Sequence, residues 1–131
     1  DLHYLLRERY PEIEYNLEGN PFEPSFMELL RKLRPHQGTL VPDARDQLTS
    51  DHGWELAKDG ARLTPILAEL RGLGIRVSLF MDDDPAPMAE AKRLGADRVE
   101  LYTGPYAEAF ADGRADWSIR RYAAAAQAAT A

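Results

Sequence analysis

A chain of 131 residues, 44% of them apolar and including 9 glycines and 9 prolines, has the size and composition of one ordinary globular domain. Its 16 basic and 22 acidic residues leave a net charge of −6, which speaks against a nucleic-acid footprint or an anionic-membrane patch. Cysteine is absent, so disulfides, thiolate metal sites and a thiol nucleophile are excluded. No apolar run approaches the ~20 residues of a membrane span and no signal-peptide pattern precedes the body, so a cytoplasmic location is expected. The chain opens at Asp1 without an initiator Met and closes on an alanine-rich run to Ala131, and we expect a part of a longer protein.

Leu2, Leu5 and Leu6 with Tyr4 predict the tail of an amphipathic helix, stopped by Pro11. Ile13 to Glu18 alternates apolar and polar residues as a short strand does, and Gly19-Asn20-Pro21 breaks it. Ser25 with Glu28 three residues on predicts a capped helix whose buried stripe is Phe26, Met27, Leu29, Leu30 and Leu33. Gly38 to Val41 reads as a second strand, and Pro42 stops it. Residues 43 to 53 are polar and aperiodic, the character of a lid or binding loop. From about Asp59, the positions of Leu63, Ile66, Leu67 and Leu70 predict a helix that ends near Arg71 and Gly72. Ile75 to Met81 is the clearest strand. Asp82-Asp83-Asp84-Pro85 suits a helix start, and that helix runs to Leu94. Arg98 to Tyr102 forms a fourth strand, and the remainder is mostly helical with a break near Asp112-Gly113. Strands alternating with helices imply an α/β fold with a parallel sheet, either an open sheet or half of a (β/α)8 barrel, in one partial domain over residues 1–131.

In both folds the functional groups gather at the C-terminal ends of the strands. Glu18 and Glu100 stand there among apolar strand residues, where a charge is costly without a role or a partner. Desolvation raises a carboxyl toward neutrality and fits it to move protons, although a salt-bridged surface carboxylate is the plainer alternative for each. Arg45, Thr49 and Ser50 in the long loop can hold a phosphate, or can simply be solvated. Asp82 to Asp84 can hold Mg²⁺, but an acidic helix start explains them equally well. His3, His36 and His52 share no ligand spacing, so no metal is expected, and no Gly-rich nucleotide fingerprint occurs.

Four segments carry a family resemblance. They are Tyr15-Asn16-Leu17-Glu18-Gly19; Leu40 to Asp43 continuing through Gln47 to Trp54; Gly74 to Asp82; and Val99 to Ala107. In order and spacing they resemble pyridoxine 5′-phosphate synthase, covering essentially this whole chain but about half of that family's barrel, strands three to six. The resemblance implies a (β/α)8 TIM barrel without metal or organic cofactor. It implies the condensation of 3-amino-2-oxopropyl phosphate with 1-deoxy-D-xylulose 5-phosphate to pyridoxine 5′-phosphate, phosphate and water. Carried over by position, Glu18 resembles the family's acid/base glutamate, Glu100 its charge-stabilising glutamate, and Thr49 the loop threonine that contacts the deoxyxylulose phosphate. Pro42 to Gly53 resembles the lid, with Arg45 and Ser50 as further candidate substrate contacts.

Tyr102 departs from the family, many members of which have His there. The family's first two and last two strands, with their histidines and most phosphate donors, have no counterpart in these residues. The segment alone is therefore expected to be inactive, and its open sheet edges to favour self-association; the family resemblance also implies a homo-oligomer. Another phosphosugar-handling barrel is the first alternative, but Lys32, Lys58 and Lys92 do not stand at strand ends as a catalytic lysine would. A non-catalytic half-barrel scaffold is the second.

Overall fold

Apolar residues at two-residue spacing in four short segments form four strands, and a helix between each pair forces the strands parallel. The computed structural model describes residues 2–44 and 46–131. Its elements are α1 (Leu2–Arg9), β1 (Asn16–Gly19), α2 (Pro24–Leu33), β2 (Gln37–Leu40), α3 (Leu56–Gly72), β3 (Arg76–Met81), α4 (Met88–Leu94), β4 (Arg98–Leu101), α5 (Gly104–Ala111) and α6 (Ala115–Thr130). The strands lie in sequence order β1-β2-β3-β4, all pairs parallel. Sequential parallel neighbours joined by crossover helices are the repeating unit of a (β/α)8 barrel.

Strand alternation gives the sheet two unlike faces. Leu17, Leu40, Val77, Leu79, Met81, Val99 and Leu101 turn toward the helices, where Met27, Leu30, Leu63, Leu67 and Leu70 meet them in a single core. The other face carries Asn16 and Glu18, Gln37 and Thr39, Ser78 and Phe80, Arg98 and Glu100, as the paired register requires. That face is polar and curls inward. Arg98 on the last strand reaches Glu14, just ahead of the first, at 3.3 Å across the full width of the sheet.

Several expected boundaries shift. The first strand begins at Asn16 and not Ile13, which is 44% exposed, because Ile13 closes a turn onto the Tyr10 carbonyl. Ser25 caps nothing. Helix α2 starts one residue earlier at Pro24, whose fixed φ suits the first helical position, and Glu23 precedes it without a side-chain cap. Leu29 drops out of the buried stripe at 40% exposure, while Met27 and Leu30 keep it. Helix α3 begins at Leu56, three residues ahead of Asp59, since the pinned Trp54 delivers the chain directly into it. The acidic run does not open α4, which starts at Met88. The expected break falls between α5 and α6 at Asp112-Gly113-Arg114.

Candidate active site

The polar face of the sheet carries carboxylates at both ends, in opposite surroundings. At the N-terminal end Glu14 meets Arg76, and its Oε1 lies 3.3 Å from Nη1 of Arg98. Gln37 accepts from both arginines, at 2.9 Å from Arg76 and 3.1 Å from Arg98. The hydrogen bond from Arg76, aided by the charges of both guanidinium groups, holds the Glu14 carboxyl below the usual carboxylate range. Above this layer Thr39 donates to Asn16 at 3.1 Å.

At the C-terminal end the surroundings are acidic. Glu18 is itself an exposed residue on the polar face, yet the protein packed around its carboxyl desolvates it, and that burial is the largest influence raising it above its ordinary value. The charges of Glu100 and Asp43 raise it further. Glu18 and Glu100, from the two outermost strands, are thus brought to one mouth, near enough for the Glu100 charge to act on Glu18. A carboxyl held up in this way exchanges protons nearer neutrality than a free one.

The loop after β2 is tied down at both ends. Asn20 donates to the Asp43 carbonyl at 2.8 Å and accepts from the Phe22 amide at 2.8 Å. Ser50 donates to Asp43 at 2.6 Å, leaving the second Asp43 carboxylate oxygen buried without a hydrogen-bond partner among the described residues. Gln47 donates to the Thr49 carbonyl and to Asp51, at 2.8 and 2.9 Å, and Asp51 pairs with His52. At the far end the Gly53 amide donates to Asp82 at 2.8 Å and the Trp54 amide to the Phe80 carbonyl at 3.0 Å. The buried Trp54 indole donates to the Leu40 carbonyl at 2.8 Å, joining the ends of β2 and β3. Gly53 is required here for space, because a Cβ would lie 2.4 Å from the Asp82 amide nitrogen.

Of the residues singled out in the sequence, Glu18 and Glu100 come together at the mouth. Thr49 is exposed on the loop, and the Ser50 hydroxyl is engaged by Asp43. Arg45 lies outside the described residues. The acidic run divides: Asp82 holds Gly53, Asp83 pairs with Arg121, and Asp84 accepts from the Ala86 amide at 3.0 Å. Among the described residues no group of three or more His, Asp or Glu is gathered to hold a metal ion. Sequence reasoning missed Asp43 and Asn20 as parts of the mouth. The signal was present, since Asn20-Pro21 directly follows β1 and Pro42-Asp43 follows β2 after one residue.

Residues 1–131 match a family described as "Pyridoxal phosphate biosynthesis protein PdxJ". The chain belongs to that family. Among curated relatives, the pyridoxine 5′-phosphate synthase of Xanthomonas campestris pv. campestris (strain B100) is 53% identical over 125 residues, 91% of this chain and 49% of the relative. That of Albidiferax ferrireducens is 48% identical over 130 residues, 95% of this chain and 51% of the relative. That of Mesorhizobium japonicum is 48% identical over 132 residues, 100% of this chain and 53% of the relative. The chain therefore spans about half the length of the curated relatives it matches. Four parallel strands over that half fit a portion of the (β/α)8 barrel of this family. Among the described residues no helix is long and apolar enough to cross a membrane.

Proposed function

We propose that the complete polypeptide carrying this sequence is a pyridoxine 5′-phosphate synthase. It condenses 3-amino-2-oxopropyl phosphate with 1-deoxy-D-xylulose 5-phosphate to pyridoxine 5′-phosphate, phosphate and water. The observation that carries this reading is the pair Glu18 and Glu100, two carboxylates at one mouth with Glu18 raised toward neutrality, in a chain that matches the family along its whole length. Ring closure through imine formation, dehydration and aldol-type bond making moves protons repeatedly between carbon, nitrogen and oxygen. A carboxyl whose hold on its proton is strengthened by burial and neighbouring charges serves each such transfer.

In this reading Glu18 is the acid/base and Glu100 stabilises positive charge that develops beside it. The segment from Pro42 to Gly53 closes over the substrates, with Thr49, Arg45 and Ser50 contacting them. Ser50 reaches a substrate phosphate only by releasing Asp43, so closing rearranges the loop's inner hydrogen bonds while the Gly53 and Trp54 anchors persist. The 131 residues form one partial domain that does not turn over alone, since the remaining strands must supply the rest of the mouth. A cytoplasmic homo-oligomer is the setting.

The test is a synthase assay on the complete polypeptide beside its Glu18→Gln variant. Formation of pyridoxine 5′-phosphate by the parent, lost in the variant with the fold intact, is the expected result. A folded parent that makes no product from these two substrates overturns the reading.

A further inference from the structure

We infer that Arg121 and Tyr122, neighbours on α6, are positioning residues that clamp the ends of β3 and β4 and so set the distance between Glu18 and Glu100. The catalytic consequence rests on the reading above; the positioning itself does not.

Successive residues on a helix point about 100° apart, so two neighbours can reach two different strand ends. Arg121 takes the first. Its Nε and Nη2 donate to the two oxygens of Asp83 at 2.8 and 3.0 Å, a two-pronged pair in which the Asp83 side chain is 9% exposed and that of Arg121 45%. Trp117, one turn earlier, lies 5.2 Å from the guanidinium and restricts its movement. Asp83 follows Met81, the last residue of β3, by two positions.

Tyr122 takes the second. Its hydroxyl donates to the Tyr102 carbonyl, immediately after β4. The Tyr102 amide donates in turn to the Met81 carbonyl at 2.8 Å. The residue beyond Glu100 and Leu101 is therefore held on both sides, by β3 and by α6. Its ring is fixed as well: it lies across Gly104, where a Cβ would fall 2.1 Å from the Tyr102 hydroxyl oxygen.

The helix can approach this closely because Ser118 and Ala125, on the same face as Tyr122, are small and fully buried. Burial, with the charges of Asp83 and Asp82, raises the Tyr122 phenol above its ordinary value, so it remains a donor throughout the working range. Glu100 lies two residues before the clamped peptide. If the clamp opens, the end of β4 is free to move outward and Glu100 with it. The charged groups acting on Glu18 are Glu100 and Asp43, and only the first is carried on the clamped strand.

The test uses the complete polypeptide with Tyr122→Phe and Arg121→Gln, and Ile119→Ala on the exposed side of the same helix as a control. The readouts are amide exchange at Tyr102, the carboxyl titration of Glu18 followed by ¹³C NMR, and kcat against KM. For both clamp variants the expected result is Tyr102 exchange faster by about tenfold or more with Val77 unchanged. The Glu18 midpoint moves down, and kcat falls about tenfold with KM nearly constant, as a small misplacement of a reacting group produces. Ile119→Ala moves none of these. Should Arg121→Gln fail to fold, Arg121→Lys, which keeps the charge and loses the second prong, takes its place. Folded clamp variants with wild-type Tyr102 exchange and a wild-type Glu18 midpoint overturn the inference. If exchange and midpoint shift as expected but the parent lacks synthase turnover, the positioning stands and the functional reading falls.

Discussion

Glu14 and Glu18 sit four residues apart on one polar face, and their surroundings push them in opposite directions. At the lower end, Arg76 and Arg98, folded in from β3 and β4, pair with Glu14 and stabilise its charge, while Gln37 accepts from both arginines. At the upper end, Glu18 is desolvated among carboxylates, which disfavours its charge. The lower layer is a charge-paired structural network. The upper one retains an energetically unfavourable charge arrangement, as a group used for proton transfer does. Spacing and residue type do not separate the two; the partners do.

The sharpest way to break this contrast is at Glu18. In the complete polypeptide, Glu18→Gln is expected to lower kcat by about 10²- to 10⁴-fold, the range for a lost acid/base group. The same variant is expected to be slightly more stable than the parent at neutral pH. A carboxyl whose folded value is raised contributes stability below its unfolded value and loses that contribution as pH rises through the folded one. Thermal midpoints at pH 4 and pH 7.5 check this sign, and equal or lower stability of the variant at pH 7.5 contradicts the contrast.

Gly53→Ala probes how the loop is anchored. A methyl group 2.4 Å from the Asp82 amide forces the loop off the end of β3. We expect a loss of about 1–3 kcal/mol, typical of overpacking, measured by denaturant unfolding, together with a raised KM for both substrates.

Removing the neighbour tests the origin of the Glu18 shift. Glu100→Gln takes away one of two charges that raise Glu18, so the acidic limb of the kcat/KM profile should move to lower pH as kcat falls about tenfold or more. A limb that stays in place assigns the shift to burial and Asp43 without Glu100.

The smallest effect is expected at the lower end. Glu14→Gln should leave kcat within about twofold of the parent, since it touches no part of the mouth. Its stability signature is opposite to that of Glu18→Gln. A carboxyl held low contributes stability above its unfolded value and loses it as pH falls through the folded one. The variant should therefore be less stable than the parent at pH 7 and approach it in acid; salt should narrow the difference because Glu14 is exposed. A large kcat loss here would dissolve the distinction between the two ends.

Much of this was legible in the amino acids. Alternation in Asn16–Gly19 and Arg98–Leu101, the largely apolar segment Arg76–Met81 and the leucine spacing of Leu56–Gly72 are local patterns, and local patterns dictate strands and helices. Helices between strands then oblige a parallel sheet, and parallel sheets carry their chemistry at one end. Glu18 and Glu100 followed from that rule together with the family resemblance.

What local patterns could not supply was the company each residue keeps. Ser25-Glu28 has the form of a capping box, yet Pro24 starts the helix first. Asp82, Asp83 and Asp84 look like one acidic cluster, but serve Gly53, Arg121 and Ala86 separately. Glu14 and Glu18 look alike until the curled sheet brings Arg98, 84 residues away from Glu14, onto one and Glu100 onto the other. Secondary structure depends on hydrogen bonds and packing between near neighbours. The charge state of a carboxyl depends on desolvation and on charges folded in from distant strands, which exist only once the chain has closed on itself.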